Sequence, residues 1–139
     1  MNEIRGKIQN RERATQVRKF EGLRFGSITP TDIDGFIDFK NKAFVFIEMK
    51  TGRTEIKYGQ RLALERLCQA SLDSGKFCIG LIASHYTRSD EDIDCASAEV
   101  SEIWHNGKWH KRSGITLKKQ IDNFLLWAKI KPEEKANQL

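Results

Sequence analysis

An α/β domain with a mixed central sheet is predicted by three features of the chain. Two apolar strands flank the polar triplet Lys40-Asn41-Lys42; a helix-period segment from Tyr58 is followed by the short apolar run Phe77-Cys78-Ile79-Gly80-Leu81-Ile82-Ala83; and Asn106-Gly107, a strong hairpin-turn signal, separates two further strand-like stretches. The implied order is helix, three strands, helix, strand, hairpin and closing helix. At 139 residues the chain has room for a single core, so residues 1–132 are read as one domain and 133–139 as a flexible polar tail.

The N-terminal segment carries Ile4, Ile8, Ala14, Val17 and Phe20 at helical spacing. Basic residues crowd the same stretch: Arg5, Lys7, Arg11, Arg13, Arg18, Lys19 and Arg24 stand against Glu3, Glu12 and Glu21. Such a helix can hold phosphates through its arginines and lysines, and it reads equally as a solvated amphipathic face. A weak strand pair is expected around Leu23 to Ile28.

Thr31–Phe39 and Ala43–Lys50 follow as strands. If Lys40-Asn41-Lys42 is a three-residue loop, Phe39 pairs with Ala43, Asp38 with Phe44 and Asp34 with Glu48, while Asp32 faces Lys50. Strand alternation puts Phe44, Phe46, Glu48 and Lys50 on one face and Val45, Ile47 and Met49 on the other. Both faces are thus apolar until Glu48, which suits a central strand covered on both sides. The Tyr58 helix should run to about Ser74, with Gln60, Leu64, Leu67 and Ser71 on one face. The Phe77–Ala83 run is a buried strand with His85 and Tyr86 at its end. Val100–Trp104 and Lys108–Arg112 form the hairpin, and a final helix from about Thr116 to Ile130 turns Leu117, Ile121, Phe124 and Ala128 inward before Pro132 ends it.

Glu48 and Lys50 interrupt a strand otherwise fit for burial, and charged residues there need a reason. Two adjacent carboxylates repel, and a divalent cation resolves the conflict. Asp34, Glu48 and an ammonium group at Lys50 are the minimum equipment for binding Mg²⁺ and hydrolysing a phosphodiester. A two-residue turn would shift the register, so the choice between Asp32 and Asp34 stays open. Gln60 reads either as an auxiliary site residue or as a polar first-turn residue. The loop Arg53-Thr54-Glu55-Ile56-Lys57 borders a substrate channel or serves only as a connection.

At these residues the chain resembles the PD-(D/E)xK nuclease superfamily, with Ile33-Asp34-Gly35 as the aspartate motif and Glu48-Met49-Lys50 as the (D/E)xK motif. Pro30 stands before Thr31 rather than immediately before the aspartate, a departure many members share. The resemblance implies a restriction-endonuclease-like sheet flanked by helices, with an added C-terminal hairpin and helix. It implies Mg²⁺, with Mn²⁺ substituting, held by Asp34, Glu48 and the backbone carbonyl of Met49. Lys50 would position the attacking water, and Gln60 would lie near the scissile phosphate. A first-helix glutamate is often added; Glu12 is the candidate and Glu3 the runner-up. The implied activity is hydrolysis of DNA by a Mg²⁺-activated water, structure-directed or weakly sequence-specific, in a Holliday-junction-resolvase-like or phage-type endonuclease acting as a homodimer. The alternatives are a catalytically inactive nucleic-acid-binding module and an RNA endonuclease on the same scaffold.

Composition bounds the rest. A net charge of +5 allows a polyanionic partner. No apolar run reaches membrane-spanning length, and the N-terminus lacks the features of a signal peptide. Cys68, Cys78 and Cys95 are odd in number without a CxxC, which favours reduced thiols and a cytoplasmic location. Cys68 and Cys78 read as core residues. Ser89–Asp94 lacks the glycine and terminal glutamate of a calcium-binding loop and reads as solvated. His105 and His110 have no cysteine spacing that would make a zinc site. Trp104 and Trp109 are read as packing residues, with base stacking as the functional alternative.

Overall fold

The computed structural model describes Glu12 and residues 15–131. These fall into two units, one up to Pro30 and one from Thr31 onward. In the first, residues 16–20 have no regular secondary structure, so the expected helix does not reach Val17 and Phe20. Glu21–Leu23 is a 3₁₀ turn. The early strand pair is not formed: Phe25 and Ile28 exchange backbone hydrogen bonds of 2.8 and 3.0 Å around a tight turn with Gly26 at φ 67°, and no ladder extends from that bridge. The third strand expected before the Tyr58 helix is therefore missing from the described residues.

The second unit is a five-stranded mixed sheet. Its strands are β1 (Gly35–Phe39), β2 (Ala43–Thr51), β3 (Phe77–His85), β4 (Glu99–His105) and β5 (Lys108–Lys111), in that spatial order. The helices are α1 (Tyr58–Asp73) and α2 (Leu117–Ala128). β2 and β3 are parallel, joined through α1; every other neighbouring pair is antiparallel.

The β1–β2 register is the expected one, with Phe39 opposite Ala43 and Asp38 opposite Phe44. Lys40 and Asn41 take left-handed φ values of 56° and 60°, and the Asp38 carboxylate accepts the Asn41 N–H at 2.6 Å, which secures the three-residue loop. β1 begins at Gly35, four residues later than expected. The reason is local: the backbone bends at Asp34, and the Asp34 side chain accepts the Met49 N–H at 2.7 Å, a donor that a continuing ladder would give to a backbone carbonyl.

Alternation along β2 separates two cores. Ala43, Val45 and Ile47 pack with Ile79, Leu81, Val100 and the α2 residues Leu117, Ile121, Phe124 and Leu125. Phe46 packs on the other face with Leu64 and Cys68 of α1, Cys78, Ile82 and Trp104. Glu48 sits at the end of that second apolar row. Cys68 and Cys78 are buried, as expected, while Cys95 is exposed.

A bulge at Ser101 shifts the β3–β4 register between Ile82 and Ala83. Ser101 Oγ donates to the Ile82 carbonyl at 3.2 Å. The extra residue lets Val100 and Ile103 face α2 together while Glu102 and Trp104 face α1. Asn106 and Gly107, at φ 52° and 88°, close the β4–β5 hairpin as expected. α2 starts at Thr116, whose hydroxyl caps the Lys119 N–H at 3.2 Å, and stops at Lys129 in a left-handed turn at φ 58°. Pro132 and the 133–139 tail lie outside the described residues.

Candidate functional site

Asp34 and Glu48 meet where β1 gives way to the bend and β2 continues. Glu48 is 4 % exposed, among the few buried charged or polar side chains of the described residues. Its carboxyl is pushed up to about 7, first by burial and then by the charge of Asp34, with which it also hydrogen-bonds. Asp32 adds a weaker repulsion. Glu48 thus feels both aspartates, and the direct contact is with Asp34. The backbone hydrogen bond from Asp34 pulls the other way and is overcome.

Gln60 completes the local structure. Its amide nitrogen donates to Glu48 Oε1 at 3.1 Å, and its amide oxygen accepts the Lys57 N–H at 3.3 Å. One side chain therefore closes the first turn of α1 and fixes the orientation of the buried carboxyl. Gln60 is thus the polar first-turn residue of one reading, and the helix start brings its amide to Glu48 at the end of the apolar row.

Met49 contributes backbone. Its N–H is held by Asp34, and within a strand the N–H and C=O of one residue point to the same side. The Met49 carbonyl consequently faces the β1 side of the sheet. Lys50 lies two residues beyond Glu48 on the same face of β2 and is half-buried.

Further across that face the sequence reading missed a second charged group. Ile82 pairs with Glu48 on one side and with Glu102 on the other. Glu102 receives a forked pair of hydrogen bonds from Arg61 at 2.6 and 3.2 Å. Those bonds, more than the charges of Lys111 and Lys50, hold the Glu102 carboxyl below the usual carboxylate range. The Arg61 guanidinium lies 4.7 Å from the centre of the Trp109 ring, whose indole N–H donates to Glu65 at 2.6 Å. Sequence spacing gives no hint of this network, since its members come from α1, β4 and β5. Trp109 and the buried Trp104 are packing residues here. Arg61→Ala should cost about 1–3 kcal/mol, because it strands a part-buried carboxylate and removes the cation over Trp109. Urea unfolding followed by tryptophan fluorescence measures it; a change within 0.5 kcal/mol, roughly the scatter of surface substitutions, would mean that the network contributes nothing.

Arg5, Lys7, Arg11, Arg13 and the runner-up Glu3 lie outside the described residues. Glu12, Arg18 and Lys19 belong to the first unit and are exposed. Ile56 of the Arg53–Lys57 loop packs against the second core. His85 at the end of β3 is within 3.3 Å of the Thr51 hydroxyl, and its ring also accepts the Thr87 N–H. Residues 89–94 are exposed.

Among the described residues no cluster of three or more His, Cys, Asp or Glu side chains forms a metal site. The donors gathered at the end of β2 are two carboxylates and a backbone carbonyl. No helix of the described residues is long and apolar enough to cross a membrane. No protein-family model, curated protein or solved structure matches the chain.

Proposed function

We propose that the chain is a metal-dependent nuclease of the restriction-endonuclease-like type, hydrolysing DNA phosphodiesters at the end of β2. The observation that carries this reading is the contact between Asp34 and the buried Glu48, with Gln60 bracing the latter. A buried carboxylate beside a second, exposed one is costly in isolation. Here the pair stands beside an outward-turned backbone carbonyl and a lysine on the same face. That donor set is all oxygen, the chemistry that Mg²⁺ and Mn²⁺ prefer.

Asp34, Glu48 and the Met49 carbonyl would hold the cation. When bound, it neutralises charge on the phosphate and makes a nearby water more acidic. The other roles belong to the protein. Gln60 keeps Glu48 in one orientation, so less freedom is lost on binding. Lys50 supplies a point charge for a phosphate oxygen and orients the attacking water. The net charge of +5 favours a polyanionic substrate in general. The proposal takes cleavage to be directed by DNA structure or only weakly by sequence. Junction cutting requires two sites, so a homodimer belongs to the same proposal.

Incubation of the purified protein with supercoiled plasmid, a four-way junction and a structured RNA tests the reading. Nicking of DNA in Mg²⁺ or Mn²⁺, abolished by EDTA and by Asp34→Ala, is the expected result. Lys50→Ala should lower the rate by about 10²–10³ while leaving Mn²⁺ binding intact. Cleavage of the RNA alone would move the substrate class to RNA. Nucleic-acid binding without cleavage in any metal would leave the inactive binding module as the surviving reading.

A further inference from the structure

On the opposite side of the sheet, a cleft of about 420 Å³ opens between α2 and the β4–β5 hairpin. It lies within the usual range for small-ligand sites, roughly 300–1,000 Å³. Three kinds of chemistry meet in it. Lys111 and Arg112 bring positive charge from the hairpin side, and His110 adds a polar ring. Trp127 of α2 lines the cleft with its ring held by His105 and Phe77 in perpendicular contacts at 4.8 and 5.4 Å and by the near-parallel Phe124 ring at 6.2 Å, and is still 54 % exposed. Gln120, only 8 % exposed, also lines it, and its Oε1 is a buried acceptor that receives no hydrogen bond from the described residues.

Each feature is unusual for a site with only a packing role. Buried side-chain acceptors are nearly always satisfied, and a braced, half-exposed indole beside cationic groups is a stacking platform. An anion alone would satisfy Arg112 but not the orphaned acceptor, which needs an N–H or O–H. A purely apolar ligand would satisfy neither. A nucleotide meets all three demands: a phosphate for Arg112 and His110, a ring to pack on the exposed part of Trp127, and a base N–H that reaches the Gln120 acceptor once its side chain turns into the cleft, which Asn123 also lines.

We propose that this cleft binds a nucleoside monophosphate unit, either free or as one unpaired nucleotide of a strand. The site needs no metal and shares no residue with the Asp34–Glu48 pair, so it stands whether or not the chain cleaves nucleic acid.

Titrations in EDTA with adenosine 5′-monophosphate, ribose 5-phosphate and a short single-stranded oligonucleotide, followed by calorimetry and amide NMR shifts, provide the test. The monophosphate should bind at least about ten-fold more tightly than ribose 5-phosphate, since base–aromatic stacking is the main gain. Trp127→Ala should erase that difference; the residue is exposed, so the fold survives the change. Arg112→Ala should weaken both small ligands. Gln120→Leu should weaken the nucleotide several-fold while raising the melting temperature, because it removes an unsatisfied buried acceptor. A purely structural glutamine would not show that opposition. Tighter binding of the oligonucleotide than of the monophosphate assigns the cleft to a strand, and the reverse assigns it to a free nucleotide. Equal affinity for ribose 5-phosphate and the nucleotide, or no binding, overturns the proposal. So does a dimer in analytical ultracentrifugation that Trp127→Ala dissociates, which would make the cleft a contact between copies of the chain.

Discussion

Glu48→Gln is expected to give a protein that melts higher than the parent at pH 8 without divalent cations, yet has lost cleavage. The two effects share one cause. The parent buries a carboxyl whose charged form is opposed by burial and by Asp34. Glutamine has nearly the same shape, and its oxygen can keep the hydrogen bond from the Gln60 amide that Glu48 Oε1 now accepts. What disappears is the cost of burying the charge and its repulsion by Asp34. The same charge is what the proposed cation requires, so its removal should lower the cleavage rate by about 10³ or more, the equivalent of roughly 4 kcal/mol of lost stabilisation. Differential scanning calorimetry in EDTA and a nicking assay in Mn²⁺ read the two outcomes separately. A variant that melts lower while losing activity would mean that Glu48 is merely structural. A variant that cleaves at the parental rate would remove Glu48 from the chemistry altogether. This opposition between stability and activity is expected where a site stores unfavourable electrostatics.

The legible part of this site was the part written along single strands. Alternation in Ala43–Lys50 separated the two faces correctly, and of the turns open to the polar triplet Lys40-Asn41-Lys42 the chain adopts the three-residue loop, which pairs Phe39 with Ala43. α1, α2 and the β4–β5 hairpin were likewise readable from helical spacing and the Asn106-Gly107 signal. Where β1 starts was not legible. An aspartate carboxylate replaces a backbone acceptor for Met49, and nothing in the pattern of apolar residues announces such a substitution. The Leu23–Ile28 segment misled because its apolar residues have strand character, while Gly26 folds them into a tight turn. Arg61–Glu102 was invisible for a different reason. The Ser101 bulge resets the alternation of β4, so which of its residues face α1 depends on one unpaired residue. Gln120 was hidden by its spacing: it falls beside the inward-facing residues of α2 and is buried with them.

Without metal, raising the pH from 4.5 to 7 should cost the parent up to about 3 kcal/mol of stability relative to Glu48→Gln. The sign follows from proton counting. Glu48 titrates near its ordinary value of 4.5 in the unfolded chain and at about 7 in the folded one. Between those values the folded state holds a proton that the unfolded state has released, so stability falls as pH rises, by at most about 1.4 kcal/mol per pH unit. Below 4.5 and above 7 the contribution is flat. Glu102 works in the opposite sense: its lowered folded value gives stability that is present above 4.5 and lost as pH falls through the folded value. Subtracting the Glu48→Gln curve cancels Glu102 and isolates the buried carboxyl. Adding Mn²⁺ should then stabilise the parent increasingly from pH 5.5 to about 7, because cation and proton compete for the same oxygens. Urea denaturation of both proteins across this range, with EDTA and with Mn²⁺, supplies the four curves needed. Parallel parent and Glu48→Gln curves in EDTA would show that neither burial nor Asp34 raises the Glu48 carboxyl. A Mn²⁺ effect of equal size in both proteins would place the cation elsewhere.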